Sequence, residues 1–298
     1  MEKTIKHANR RKSAKKIVGS VLFYCFGVLL SLFFLFPVYA LLIKSVMPDF
    51  QLYEEPSLYP KYLNFAPYGK VFSPEYLWYF RNTFIVCVLY ILGTVLAGSF
   101  TAYGLTKMNF HGKNAVFAII LVTVFLPGVV TGIPLYIVYD HMGWTGTLYP
   151  LWVPVWFGGG AMTIFLIRQF MRGIPNSLTE AAILDGASSF RIYWQIILPM
   201  IRPILIYIAV TAFFATWNDF QGPMMYVGDR QSQWTISLAL YKEFATASHS
   251  TNLPNVQMAA GVIMMLPCVL LFALFQKVFL HFLHSNKLES SLSNSIHQ

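Results

Sequence analysis

Between Ser177 and Pro199 the sequence reads SLTEAAILDGASSFRIYWQIILP, the least apolar long stretch of an otherwise apolar chain. Glu180, Ala181, Ala182, Asp185 and Gly186 have the types and spacing of a short docking helix and its stop. Ser177 stands three residues before Glu180, the pattern of a capping box, in which hydroxyl and carboxylate each accept from the other residue's amide. Asp185-Gly186 ends the helix, because glycine tolerates the left-handed conformation found there. Ser188 or Ser189 then caps a second short helix carrying Phe190, Tyr193, Trp194 and Ile197, which Pro199 and Pro203 separate from the next apolar run. The alanines leave a slim rod suited to a groove on a partner. The aromatic second helix suits the bilayer surface.

A second candidate cluster closes the apolar run that starts at Ile204: Trp217, Asn218, Asp219 and Phe220, followed by Gln221. A carboxylate at the middle of a membrane helix costs about 2.5–3.5 kcal/mol on insertion scales, which makes Asp219 a functional candidate. Its depth, roughly 22 Å up the helix at about 1.5 Å per residue, leaves two roles open: lining a cavity or contacting a partner, and a hydrated interfacial position. Other chemistries lack their residues. Gly69-Lys70 and Gly112-Lys113 miss the upstream glycine and the following Ser/Thr of a phosphate-binding loop, so ATP hydrolysis needs another subunit. Neither H-E-x-x-H nor G-x-S-x-G occurs. Cys25, Cys87 and Cys268 lie in apolar runs and behave as small hydrophobes, without disulfide or zinc spacing. His281 and His284 read as solvated interfacial residues, not metal ligands.

The elements that must position these residues are membrane helices. Hydrophobic residues make up 56% of the 298 and charged residues 11%, with a mean hydropathy of +0.57, where soluble domains carry about a quarter charged residues. Six continuous apolar runs, near residues 17–43, 83–105, 115–138, 151–170, 204–220 and 258–282, each approach the roughly 20 residues of a helical crossing. None shows the period-2 alternation of a membrane barrel, so the fold class is all-α. The expected organisation is a basic tail at 1–16, a six-helix domain at 17–282 containing the 177–199 loop, and a tail at 283–298. The first run is longer than a signal-peptide core and lacks a clear cleavage site, so it reads as a retained helix.

The net charge of +9 does not imply nucleic acid, because its distribution follows the membrane. Fifteen of the 21 Lys and Arg fall on one side of the six runs, the side of both termini and of the 177–199 loop, which the positive-inside rule makes cytoplasmic. Gly93, Ala97 and Thr101, with Gly98 and Ala102 on the neighbouring row, give the second helix small-residue faces for close packing or for lining a pore. Pro127, Gly128, Gly132 and Pro134 predict a kink or break in the third. The long first external loop is rich in tyrosine, fit for docking or for headgroup anchoring.

The stretch EAAILDGASSFRIYWQIILP resembles the E-A-A-x3-G-x9-I-x-L-P motif of ATP-binding-cassette importer permeases, with Glu180, Ala181, Ala182, Gly186, Ile196, Leu198 and Pro199 at its fixed places. FPVYALLIKS, RNTF, LIRQFMRGIP and WNDF extend the likeness along most of the chain, toward the MalG-type subunit of the carbohydrate-uptake subclass. The resemblance implies a bacterial cytoplasmic-membrane permease without cofactor of its own. It also implies a second six-helix permease, two copies of a cytoplasmic ATPase that hold ATP and Mg, and an extracytoplasmic solute-binding protein. Glu180 to Ala182 would form the coupling helix held in a groove of the ATPase, Gly186 its turn, and Glu180 and Asp185 its acidic contacts. Cargo would be a sugar or oligosaccharide moved by alternating access, with Asn82, Trp217, Asn218, Asp219 and Gln221 as candidate pathway residues. A permease for a non-sugar solute, or an ion-coupled secondary transporter, are the alternatives; the latter finds Asp219 off-centre and without a counterpart in the first three helices.

Overall fold

The computed structural model describes residues 2–53, 57–246 and 254–296, with side chains over 19–52, 57–242 and 254–276. The basic tail's side chains and the histidines at 281 and 284 therefore lie outside the described residues, as does part of the 222–256 loop. Among the described residues every regular element is helical. Only a helix satisfies its backbone within a single segment in hydrocarbon, so continuous apolar runs fold this way. The main helices are α1 (Glu2–Ser45), α2 (Pro74–Lys107), α3 (Lys113–Val124), α4 (Gly128–His141), α5 (Ala161–Arg172), α6 (Asn176–Leu184), α7 (Ser189–Met200), α8 (Arg202–Trp217), α9 (Ile236–Thr246) and α10 (Pro254–Ile296).

Gly19–Ser45, Pro74–Lys107, Tyr149–Arg172 and Pro254–Gln276 are long and apolar enough to cross a membrane. A fifth crossing results if α7 and α8, bent by 76° at their junction, count as one. Six were expected, and the difference lies in the third run. It is divided at residues 125–127 into α3 and α4, of 12 and 14 residues. Pro127 has no amide hydrogen to continue the ladder and stands in an extended conformation, ψ 133°, before α4. The second helix also starts earlier than expected, at Pro74, because proline is well placed in a first helical turn.

The chain divides into two compact units. The first comprises Met1–Val71 and Thr251–Met265. From Val21 to Phe36 the large side chains of α1 are exposed, the surface of a helix whose solvent is lipid. Beyond α1, buried Gln51 donates to the Tyr59 carbonyl (2.8 Å) and accepts from the Lys61 amide (2.8 Å), closing the loop on itself. Tyr39 of α1 donates to the Leu58 carbonyl, and Tyr68, a tyrosine of the expected external loop, bonds Ser45, so that tyrosine serves packing.

The second unit comprises Phe72–Ser250 and Leu266–Gln298, and α2 is its spine, with α5, α8, α9 and the turn Pro154–Phe157 packed on it. Small residues set the spacing, which makes packing the observed use of the rows read from the sequence. A β-carbon on Gly93 would lie 2.6 Å from the Trp156 indole, whose Nε1 donates to the Leu89 carbonyl. One on Gly98 would lie 2.7 Å from Thr163 Cγ2. One on Gly159, at φ +80°, would collide with the Gly98 backbone. Gly159→Ala is expected to destabilise the protein by about 1–3 kcal/mol, the usual range for overpacking. A thermal melt in detergent checks this, with Leu92→Ala on the exposed side of α2 as the near-neutral control.

Candidate functional site

The loop joining α5 to α8 holds the motif residues and is built outward from α2. Lys107, in the last turn of α2, donates to the Ile174 carbonyl (2.7 Å) and to Asn176 Oδ1 (2.9 Å). That contact fixes the start of α6. The helix begins at Asn176, behind an extended Pro175, and carries no side-chain cap hydrogen bond. The capping box expected of Ser177 and Glu180 is therefore absent: Pro175 ends the preceding turn one residue early, so Ser177 already lies inside α6.

The stop is as expected. Ala187 N donates to Ala182 O (2.9 Å) and Gly186 N to Ile183 O (3.0 Å), with Gly186 at φ +78°. This is the six-to-one and five-to-two pairing of a glycine-terminated helix. Ser188 then caps α7, its hydroxyl accepting from the Arg191 amide (3.4 Å). α7 does not simply rest on a surface. Ile192, Tyr193 and Ile197 are buried in the unit's core, while Phe190 and Trp194 face outward. The Tyr193 hydroxyl meets Ser99 Oγ at 2.8 Å, and Tyr103 donates to the Ser189 carbonyl (3.0 Å). Residues Tyr193–Ile197 form a π-helical turn, and the break from α8 falls at Ile201, with Pro203 in the first turn of α8.

Within α6 only Thr179 and Ala182 are buried. Ser177, Glu180, Ala181 and Leu184 share the opposite face at helical spacing, and all four are exposed, Leu184 at 88%. Ala182 thus faces the bundle, not the outside, so the outward pair is Glu180 and Ala181. Asp185 and Gly186 are exposed at the helix end. Ser99, Tyr103 and Lys107 were not singled out in the sequence, although their i, i+4, i+8 spacing marks one polar stripe on an apolar helix.

The candidate pathway residues are not gathered into one site. Trp217 is buried and stacks on Phe213, centroids 5.2 Å apart. Asn218 is exposed, with its amide on the Phe214 carbonyl. Asp219, half-buried just past α8, accepts from the Gly222 amide (3.1 Å) and so holds the turn Gln221–Tyr226; Gln221 is exposed. Asn82 is 1% exposed and donates to the Ser232 and Trp234 carbonyls, both at 3.0 Å. Near it Glu75, Trp78, Tyr79, Arg81 and Gln231–Gln233 line an open cavity of about 500 Å³.

Apolar helices that pack around a small-residue spine define a multi-span membrane protein, which holds out a short, one-sidedly buried helix. The chain belongs to the family described as binding-protein-dependent transport system inner membrane components, which matches residues 92–283. It is a membrane transport subunit of the permease type, not an enzyme. It is 31% identical over 252 residues to the "Probable starch degradation products transport system permease protein AmyC" of Thermoanaerobacterium thermosulfurigenes, covering 84% of this chain and 90% of that one. It is 26% identical over 280 residues to the arabinooligosaccharides transport system permease protein AraQ of Bacillus subtilis (strain 168), covering 91% and 96%. In fold it is similar to a chain of a bacterial ABC transporter involved in the import of the acidic polysaccharide alginate, with a TM-score of 0.78 at 20% identity, covering 89% and 97%.

A side chain at Gly186 meets open space but must adopt the left-handed backbone, at about 1–2 kcal/mol. Gly186→Val is expected to fray the end of α6. Hydrogen exchange at the amides of 185–187 should then rise several-fold while that of α2 stays unchanged.

Proposed function

We propose that this chain is one permease subunit of an ATP-binding-cassette importer for a sugar or oligosaccharide, driven through α6 by a separate cytoplasmic ATPase. The observation that carries the proposal is the outward face of α6. Glu180, Ala181 and Leu184 are left uncovered on a helix that the chain fixes at both ends. An exposed leucine on a rigid rod is a cost in water and an asset in a groove. The motif match and the family membership support one kind of groove, that of the ATPase, which would hold the ATP and Mg, with Glu180 and Asp185 as its acidic contacts.

The remaining parts of the proposal follow from charge and relatives. Six crossings would take α3 and α4 together as a broken third span and α7–α8, bent by 76°, as the fifth. The positive-inside rule then puts both termini and α6 in the cytoplasm of a bacterial cell. The relatives' printed names, starch degradation products and arabinooligosaccharides, support a saccharide cargo. The family's description supports an extracytoplasmic solute-binding protein. A second permease completes the passage, and alternating access follows if the ATPase grips α6 differently in its two states, since a partner shifts an equilibrium only by differential contact. Asn218, Asp219 and Gln221 are the residues proposed to line the path; Asn82 and Trp217 are buried in the packing of α2 and α8.

Affinity purification of the chain should bring down an ATPase, a second permease and a solute-binding protein, whose ligand identifies the cargo. Glu180→Lys combined with Ala181→Trp alters the exposed face alone and is expected to abolish uptake and ATPase recovery while membrane insertion persists. Undiminished ATP-dependent uptake by that variant would overturn the coupling role of α6.

A further inference from the structure

We infer that α2 carries the movement of the coupling loop to the segment 231–236 at its far end, and that Asn82 and Thr83 are the positioning residues that bind that segment to it. The inference rests on the importer reading above. Both ends of α2 are fastened by buried polar contacts. At one end Ser99, Tyr103 and Lys107 hold Tyr193, Ser189 and the 174–176 backbone. At the other end Asn82 donates to two carbonyls of the 231–236 segment, and Thr83 Oγ1 accepts from the Ile236 amide (2.9 Å). Glu75, Tyr79 and Gln231 close the same junction, Gln231 Nε2 donating to Glu75 Oε1 (2.6 Å) and to the Tyr79 hydroxyl (2.9 Å).

Asn82, Thr83 and Tyr79 are each 2% exposed or less. Segment 231–236 cannot leave α2 without stranding buried donors and acceptors, so the two move as one body. The coupling loop is tied in the same way. Between the two junctions, from Thr83 to Ser99, α2 runs about 24 Å, at about 1.5 Å per residue, without an interior proline. Advancing about 100° per residue, the stripes 75–79–83 and 99–103–107 stand roughly 120° apart, so the helix is gripped on two different sides. A tilt of α6 then swings segment 231–236. By linkage a protein bound over that segment biases the tilt of α6 in return.

The test uses the assembled transporter, purified with its partners and placed in lipid nanodiscs. ATPase rate is read alone and with the co-purified solute-binding protein carrying its cargo. Asn82→Leu and Thr83→Val are each expected to cut the stimulated-to-basal ratio at least about fivefold, the lower end of ordinary site-to-site coupling, with basal rate and subunit stoichiometry unchanged. Thr83→Ser keeps the acceptor and should keep the wild-type ratio. Unchanged ratios in both variants would overturn the inference. So would a joint fall of basal rate, stimulated rate and assembly, which would make the residues structural only. A wild-type complex without stimulation would sink the importer reading as well, which separates the two failures.

Discussion

Backbone contact between Gly98 on α2 and Gly159 ahead of α5 is the constraint on which the second unit depends. Lipid offers no hydrophobic gain for bringing two apolar helices together, so close van der Waals approach must supply it. With side chains absent on both sides of the contact, α5 comes near enough for Ile164, Ile167 and Met171 to enter one core with Ala102 and Tyr103. The next residue along from Gly98 is Ser99, and the same approach places it against Tyr193. The loop 174–200 is thus located by a packing contact one residue away from its own anchor.

Polar groups on α2 follow a simple economy. Those near its ends, where loops return to it, find partners: Asn82 and Thr83 near one end, Ser99, Tyr103 and Lys107 toward the other. Between the two stripes the helix is apolar or small, apart from Thr94 and its neighbour Tyr90. Arg168 shows the same logic on α5. It is buried with its guanidinium 3.6 Å from the centroid of Phe117, so α3 is held to α5 by a charge over a ring.

The all-helical class, the break in the third run, the packing use of Gly93 and Gly98, and the glycine stop at 186 were legible in the sequence, since each depends on one residue type in a local pattern. One local reading failed where a distant partner intervened, and one candidate residue was found already bonded to another part of the chain. Ser177 and Glu180 carry a capping pattern, but Pro175 and the ammonium of Lys107, nearly 70 residues away in sequence, move the helix start to Asn176. Asn82 has the chemistry of a ligand-binding amide, yet two carbonyls 150 residues along the chain already occupy it. Polar residues on a membrane helix announce that they will be paired. Their sequence neighbourhood does not announce with what.

The π-turn at Tyr193–Ile197 sets a constraint of another kind. A π-turn behaves as one residue inserted into an α-helix, and here it lies between the tyrosine fastened to Ser99 and the bend into α8. Losing a single codon there would restore the regular i-to-i−4 ladder and absorb the loss within the turn, leaving the packed side of α8 on α2. The turn is thus a place where the length of α7 can change by one, whereas one residue lost from its regular turns would rotate α8 by about 100° and turn its packed side away from α2.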